Sequence, residues 1–206
     1  MKVAILGGTG DFGRALAARL VTIGEDEVVI GSRDAARATA TAAELGAAGG
    51  ATNDEALAGV DLAVLAVKAD AALETARSTA AALGTTPLLS VASALSFSRD
   101  GVRPDSDARS LAERVRDTVD APVAAGLHSI AAANLGAAAP DEDALVCGDD
   151  LAKELALELA GRVVGGRAFD AGPLASARTL EGLTAVIVNL NRRYRAHAGI
   201  RITGLT

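Results

Sequence analysis

Aromatic residues are scarce in this chain of 206 residues, which has no Trp, three Phe and one Tyr. A hydrophobic core must therefore be filled mainly by Ala, Val and Leu. Hydrophobic residues make up 50% of the chain, which suffices for one ordinary domain or for a domain with a short extension.

Cysteine and basic clusters are also lacking. Cys147 is the single cysteine, so an intrachain disulfide is excluded and no zinc site is indicated. The formal net charge of −6, without a basic cluster, argues against nucleic acid or an anionic membrane as a partner. We find no apolar run long enough to span a bilayer, and the first residues predict a strand rather than a signal peptide. These features predict a soluble cytoplasmic protein.

The amino-terminal stretch carries the strongest motif. Residues 2–6 form a short apolar run that predicts a buried parallel strand. In the turn that follows, Gly8, Gly10 and Gly13 fit the G-x-G-x-x-G fingerprint of dinucleotide binding. In this fingerprint the first glycine forms the tight turn, the second lets the backbone approach a pyrophosphate, and the third lets the helix pack on the strand. The helix that follows directs its first N–H groups at the phosphates. The predicted cofactor-binding residues here are Gly8, Thr9, Gly10, Asp11, Phe12 and Gly13. The alternative is a glycine turn that only packs.

The end of the second predicted strand indicates which dinucleotide binds. An NAD site places a carboxylate here on the ribose 2′-hydroxyl, but this strand ends in Ser32 and Arg33 with no carboxylate before Asp34. Arg33 can bind a 2′-phosphate through its guanidinium group and Ser32 can donate a further hydrogen bond. The pattern favours NADP over NAD, with Arg37 as a weaker candidate ligand. The alternative is that Ser32 caps the next helix and Arg33 is only solvated.

Strands and helices alternate along the rest of the chain, which predicts an α/β fold. We expect a Rossmann-type, doubly wound and mainly parallel sheet with a small C-terminal helical extension. The expected division is an NADP-binding portion over residues 1–140 and a smaller portion over residues 141–206 that holds the second-substrate pocket. Helices are predicted over residues 34–45, 71–83, 108–119 and 174–196, and strands over residues 62–67, 87–91 and 122–127.

The predicted last helix, about 35 Å long, has an apolar stripe with spacings of three and four residues. Its members are Leu180, Leu183, Ile187, Leu190 and Tyr194. A single small domain covers little more than this length, so we predict that the stripe also meets a second subunit in a homodimer.

Three further features follow predicted strands, where open α/β sheets bind ligands. Val67 and Lys68 end one strand, and Lys68 either faces the cofactor or is solvated. Residues 92–107 form the longest irregular stretch, which predicts either a cover over the site or a surface excursion. His128 ends another core strand and either donates a hydrogen bond to a ligand or is a structural group.

With these pieces in place, the chain resembles the coenzyme F420-dependent NADP oxidoreductases from end to end. The resemblance lies in residues 3–13, Gly31-Ser32-Arg33, Leu127-His128-Ser129-Ile130, Cys147-Gly148-Asp149-Asp150, Asp170-Ala171-Gly172-Pro173-Leu174, and Arg178 with Leu180-Glu181-Gly182-Leu183-Thr184. It implies hydride transfer between nicotinamide C4 of NADP(H) and C5 of the deazaflavin coenzyme F420. Both cofactors carry the chemistry, so no catalytic nucleophile, metal or proton shuttle is needed. The resemblance also implies that Thr9, Ser32 and Arg33 hold the 2′-phosphate and that His128 and Ile130 border the deazaflavin.

The chain departs from the family pattern at Lys68-Ala69-Asp70, at Ala92-Ser93-Ala94 and at Ala131, where the family has or often has proline. All three lie where the second substrate is expected. One alternative is therefore an NADP-dependent reductase of a small imine or carbonyl compound, whose proton donor would be Lys68, His128 or Tyr194. Another is a non-catalytic NADP(H)-sensing protein.

Overall fold

The computed structural model describes residues 1–136 and 138–205. Two 3-10 turns, Ala132–Asn134 and Leu174–Ser176, accompany the helices and strands. In chain order the elements are β1 (Lys2–Leu6), α1 (Asp11–Ile23), β2 (Glu27–Ser32), α2 (Ala35–Leu45), β3 (Gly49–Thr52), α3 (Asn53–Ala56), β4 (Leu62–Leu65), α4 (Ala69–Leu83), β5 (Leu88–Ser90), β6 (Leu95–Ser98), β7 (Gly101–Pro104), α5 (Leu111–Arg116), β8 (Val123–Gly126), β9 (Ala144–Gly148), α6 (Asp150–Val163), β10 (Ala168–Asp170) and α7 (Ala177–Tyr194).

Eight of these strands form one sheet in the order β10-β9-β8-β5-β4-β1-β2-β3. Neighbouring strands are parallel except β8 and β9. The strand order reverses between β1 and β4, and this crevice at the carboxyl edge is where open α/β sheets bind dinucleotides. The predicted Rossmann-type, mainly parallel fold is confirmed.

Two apolar cores lie on opposite faces of the sheet. Helices α1, α2 and α6 cover one face, and α3, α4, α5 and the start of α7 cover the other. The helices contribute many Ala side chains, including Ala38, Ala72 and Ala156, so they lie close to the strands without large aromatic fillers. No helix in the described parts of the chain is long and apolar enough to cross a membrane.

The C-terminal portion adds β9 and β10 to the same sheet. The expected division between residues 140 and 141 stays a prediction. Residues 137 and 206, which the two expected portions include, lie outside the described residues.

The prediction that residues 92–107 are irregular is wrong. The segment folds into the hairpin of β6 and β7. Asn189 on α7 holds this hairpin, because its Oδ1 accepts from the Val102 N–H at 2.8 Å and its Nδ2 donates to the Val102 carbonyl at 2.7 Å. The hairpin was difficult to predict from the sequence because Asn189, which holds it, lies 87 residues beyond Val102.

Two predicted helices are shorter than expected. The helix expected over residues 108–119 begins at Leu111 and ends at Arg116. The last helix begins at Ala177, after the 3-10 turn, and ends at Tyr194. The apolar stripe predicted on this helix includes both buried and exposed residues. Leu180 and Ile187 are buried, whereas Leu190 and Tyr194 are exposed.

A buried carboxylate ties α7 to two segments that lie far from it in the sequence. Glu181 is 1% exposed, and its Oε1 accepts from the N–H of Leu111 at 2.8 Å and of Ala94 at 3.3 Å. Its Oε2 accepts from Arg178 at 3.0 Å, and Arg178 also donates to the carbonyl of Asp105 at 2.7 Å. One side chain therefore fixes the loop after β5, the start of α5 and the start of α7.

Replacing Glu181 should destabilise the protein. In Glu181→Gln the charge that receives these hydrogen bonds is lost while its donors stay buried, so we expect the free energy of unfolding to fall by about 2 kcal/mol. Urea denaturation measures this difference. Arg109→Ala is the matched control, because it removes the exposed Arg109–Asp117 pair, for which little measurable change is expected. Equal losses in the two variants would contradict the role assigned to Glu181.

Candidate functional site

The glycine turn between β1 and α1 is held by backbone hydrogen bonds. The Gly8 N–H lies 3.0 Å from the Ile5 carbonyl oxygen and 2.9 Å from that of Gly31, and the Gly10 N–H donates to Gly7 at 2.9 Å. Gly7 adopts φ of 76°, the left-handed region that favours glycine. The G-x-G-x-x-G fingerprint does not include Gly7. The pair of glycines at positions 7 and 8 could have identified Gly7 as part of the turn.

The other glycines differ in what surrounds them. An added Cβ would lie 2.9 Å from the Ile5 carbonyl oxygen at Gly8 and 2.7 Å from the Gly7 carbonyl oxygen at Gly13. At the exposed Gly10, the same Cβ would meet only the Gly7 oxygen, at 3.3 Å. The turn is therefore closed on the protein side and open outward at Gly10, which fits the close approach of a pyrophosphate.

The first turn of α1 faces the same opening. Gly10 is its N-cap and provides no capping side chain, so the helix presents backbone N–H groups and the positive end of its dipole. Asp11 is exposed in this first turn, and Phe12 is half-buried against the core. The structure thus places all six predicted residues in this turn and in the first turn of α1.

Asn53 supports the turn and was not predicted as a site residue. It is the first residue of α3, directly after β3, and its Oδ1 accepts from the Gly7 N–H at 3.3 Å. A Cβ at Gly31 would lie 2.9 Å from the same oxygen. No strand was predicted before Asn53, so its position at the carboxyl end of β3 could not be identified from the sequence.

Two hydroxyl groups meet beside the turn at the end of β2. The Oγ1 of Thr9 and the Oγ of Ser32 are 3.4 Å apart, and Ser32 is almost fully buried. Arg37 reaches the same point and donates to the Thr9 carbonyl at 3.3 Å. The structure therefore brings Thr9, Ser32 and Arg37 together as predicted.

Arg33 directly follows Ser32 in the chain and is exposed. The nearby carboxylate of Asp34 is engaged in capping α2, where it accepts from the Arg37 N–H at 3.1 Å. Two hydroxyls and two guanidinium groups are a donor set suited to a phosphate monoester.

Val67 and Lys68 follow β4 on the other side of the crevice. A Cβ at Gly7 would lie 2.5 Å from Cγ1 of Val67, so this side chain closes directly over the glycine turn. Lys68 is the exposed N-cap residue of α4. Val67 thus forms a wall of the crevice, and Lys68 stands at its rim.

A second, small pocket follows β8. It is lined by His128, Ser129, Leu145, Leu180 and Leu183. The residue before His128, Leu127, has φ of 60°, which is rare for a bulky side chain and costs about 1–2 kcal/mol. The Ile130 N–H donates to the Leu127 carbonyl at 3.1 Å and closes this turn. Such strain is often found where a loop positions a functional group.

Ile130, predicted at this pocket, is buried in the core on the face of the sheet that α1, α2 and α6 cover, and it is not among the five lining residues. The structure therefore brings His128 to the pocket but does not place Ile130 beside it. Leu145, Leu180 and Leu183 form the apolar wall.

His128 is partly buried. Its Nδ1 is buried and has no hydrogen-bond partner among the described residues. Burial lowers the pKa of His128 from 6.5 to about 4, and a weaker interaction with the Ala92 backbone acts in the opposite direction. The ring is therefore neutral at neutral pH and offers one N–H donor and one acceptor nitrogen.

The lowered pKa of His128 can be checked by its titration. Because the folded-state pKa lies below 6.5, protonation favours unfolding, and the stability contributed by the neutral ring is lost as the pH falls from 6.5 toward 4. The ring C–H resonances of His128, followed by NMR, should titrate with a midpoint near 4. The variant His197→Gln removes the only other histidine and assigns the signal. A midpoint near 6.5 would show that the ring is solvated.

Comparisons with known proteins agree with this geometry. The family model described as NADP oxidoreductase coenzyme F420-dependent matches residues 2–94. The F420-dependent NADP reductase of Methanothermobacter marburgensis is 39% identical in an alignment covering 100% of this chain and 99% of the relative. That of Methanocaldococcus jannaschii is 32% identical, with 100% and 99% covered.

Solved structures show the same fold. A crystal structure from Arthrobacter sp. FB24 has a TM-score of 0.82 and 27% identity, with 99% of this chain and 100% of that chain covered. An imine reductase of Streptomyces aurantiacus has a TM-score of 0.64 and 24% identity, and the match covers 95% of this chain and 62% of that longer one. The second likeness is one of fold alone. The full-length sequence relatives, together with the family model, show that the chain belongs to the F420-dependent NADP reductase family.

Proposed function

We propose that this protein transfers a hydride between NADP(H) and the deazaflavin coenzyme F420. The observation that carries the proposal is the group of Thr9, Ser32 and Arg37 beside an open glycine turn, with Arg33 directly after Ser32, in a chain that belongs to this family. The donor set fits a 2′-phosphate and the turn fits a pyrophosphate, so the residues present fit NADP(H).

The protein's own residues bind the two cofactors and orient them for the transfer. NADP(H) and F420, when bound, supply the hydride donor and acceptor. The turn at Gly10 and the start of α1 hold the diphosphate, and the hydroxyls of Thr9 and Ser32 hold the 2′-phosphate with the two arginines. Val67 narrows the crevice, and the leucines around His128 exclude water from the second pocket. Holding two ligands in a water-excluded site is the main task of such a protein.

Turnover tests the proposal directly. Purified protein mixed anaerobically with NADPH and oxidised F420 should bleach the visible absorbance of the deazaflavin at catalytic protein concentrations. NADH is the control and should react far more slowly. Binding of NADPH without bleaching in either direction would overturn the proposal and favour an NADP(H)-sensing protein.

Reduction of an imine or carbonyl compound is less well supported, because it also requires a proton donor. Of the candidates, Lys68 and Tyr194 are exposed, and burial lowers the pKa of His128 to about 4. Hydride transfer from NADPH to F420 also takes up one proton on the reduced ring, but this proton can come from solvent and requires no acid group of the protein. We also propose that the protein is cytoplasmic, because the reaction uses the NADP(H) pool of the cell.

Arg33→Ala should change the preference for NADPH over NADH. Loss of one charge-assisted hydrogen bond to a phosphate costs about 1.5–3 kcal/mol, so NADPH should bind roughly ten- to a hundredfold more weakly. NADH affinity should change little. Titration calorimetry with both dinucleotides measures the difference, and Arg77→Ala, an exposed arginine on α4, is the control. Equal weakening of both dinucleotides would remove the assignment of Arg33 to the 2′-phosphate.

We also propose that the outer face of α7 forms a homodimer contact. Val186, Leu190 and Tyr194 lie one turn apart on this face and are 54%, 42% and 69% exposed, and Phe97 on β6 is 67% exposed. Exposed apolar surface of this kind marks interaction sites.

Sedimentation velocity should show a dimer of the wild-type protein at micromolar concentration. Leu190→Arg should give a folded monomer, because a charge on this face must be desolvated upon association. Leu151→Arg, at an exposed leucine on α6, should remain dimeric. A monomeric wild-type protein would refute the proposed contact.

A further inference from the structure

The peptide unit that opens the glycine turn joins Leu6, the last residue of β1, to Gly7. Its carbonyl oxygen accepts from the Ala66 N–H at 2.9 Å, and its own N–H donates to Oδ1 of Asn53 at 3.3 Å. Ala66 follows β4 and Asn53 follows β3, so the two partners come from opposite sides of β1. Both ends of this peptide unit are therefore held, one by backbone and the other by a side chain.

The N–H of Gly7 is thus used within the protein, whereas other donors of the turn stay free for a ligand. The N–H groups of Asp11 and Phe12, at the start of α1, donate to no group in residues 1–136 and 138–205. Free N–H groups at the start of a helix bind phosphate oxygens. Their direction follows from the course of the turn, and the turn starts at the peptide unit that Asn53 holds.

Asn53 reaches Gly7 across β2, and the absence of a side chain at Gly31 makes this possible. Gly31 pairs with Leu6 on β1 and with Ala51 on β3. A Cβ at Gly31 would lie 2.9 Å from Oδ1 of Asn53, so a side chain there would displace the Asn53 carboxamide. Gly31 does not adopt the left-handed φ that favours glycine. The space for Asn53 is therefore the reason that glycine suits this position.

The start of α3 holds the backbone of Asn53. Thr52 caps the helix, because its Oγ1 accepts from the Glu55 N–H at 3.3 Å while Oε2 of Glu55 accepts from the Thr52 N–H at 3.1 Å. Thr52 is also the last residue of β3 and pairs with Ser32. Asn53 itself is buried. Its carboxamide is therefore presented to Gly7 by a fixed backbone.

We propose that Asn53, reaching across Gly31, is a positioning residue that holds the glycine turn in the conformation that receives the diphosphate of the dinucleotide. This inference rests on the proposed function, since it concerns how NADP(H) is bound. NADPH and NADH carry the same diphosphate, so Asn53 serves both equally. Arg33, in contrast, is assigned to the 2′-phosphate that NADPH alone carries.

The test is Asn53→Ala, with the affinities for NADPH and NADH measured by calorimetry. We expect both affinities to fall about tenfold, because the Gly7 N–H loses its acceptor and the turn no longer keeps one conformation. The preference for NADPH over NADH should stay the same. The Michaelis constant for NADPH should rise by a similar factor, whereas that for F420 should change less than twofold.

Asn191→Ala is the matched control. Asn191 lies on α7, and its Oδ1 also accepts from a backbone N–H, that of Ala198 at 2.6 Å. This variant loses the same kind of hydrogen bond in a segment that does not form the glycine turn. Its melting temperature should fall as that of Asn53→Ala does, without weaker binding of either dinucleotide. The comparison separates a loss of stability from a loss of binding.

A second variant tests the same contact from the other side. In Gly31→Ala the new Cβ displaces the Asn53 carboxamide, so both affinities should again fall about tenfold. This conflict disappears when Asn53→Ala is also present. The double variant should therefore bind both dinucleotides about as well as Asn53→Ala alone, because the two changes remove one and the same contact.

Hydrogen exchange in the wild-type protein gives a readout that needs no substitution. The Gly7 amide should exchange slowly both in the free protein and after NADP+ binds, because Asn53 accepts from it in both states. Rapid exchange of this amide in the free protein would overturn the inference.

Unchanged affinity for both dinucleotides in folded Asn53→Ala, or additive losses in the double variant, would also overturn the inference and leave the proposed function intact. Weaker binding of NADPH alone would do the same, since Asn53 would then serve the 2′-phosphate. A wild-type protein that binds NADPH without reacting with F420 would overturn the proposed function, and the calorimetric comparison would still decide the role of Asn53. Failure to bind either dinucleotide would overturn both.

Discussion

The position of β1 between β2 and β4 is the constraint on which the dinucleotide site depends. β1 pairs with β2 on one side and with β4 on the other, so that Leu6 lies opposite both Gly31 and Leu65. Since neighbouring strands are about 4.8 Å apart, the turn after β1 must emerge between the ends of β2 and β4. The hydrogen bond from Gly8 to the Gly31 carbonyl fixes this arrangement through the backbone alone. The phosphate-binding half of the site thus follows from sheet register and needs few particular side chains.

The second pocket is built by a different means. His128 is placed by a strained turn, and the loop beside it is held by Glu181, which lies 87 residues beyond Ala94 in the chain. The leucines of α7 that line the pocket are carried on the same helix as Glu181. A change in this helix therefore alters the wall of the pocket and the position of its loop together. This half of the site depends on one network of side chains from distant segments, in contrast to the backbone ladder of the first half.

This difference explains how much could be predicted from the sequence. The alternation of strands and helices, the glycine turn and the group of Thr9, Ser32 and Arg37 follow from local patterns, and the structure brings them together as expected. The hairpin of β6 and β7 was missed because it is held by Asn189 on a distant helix. The support given by Asn53 and Glu181 also requires contacts between segments far apart in the chain. The roles of the individual site residues stay predictions until binding is measured.

The departures from the family pattern differ in their physical consequence. Ala131 has φ of −75°, which proline also adopts, so the missing proline changes the freedom of the unfolded chain more than the folded backbone at this position. Lys68 is exposed at the start of α4, where its charge remains hydrated. Ser93 differs from both, because it adds a buried hydroxyl oxygen that has no hydrogen-bond partner in the described parts of the chain. Of the three departures, the one at Ser93 therefore places a polar atom in the protein interior.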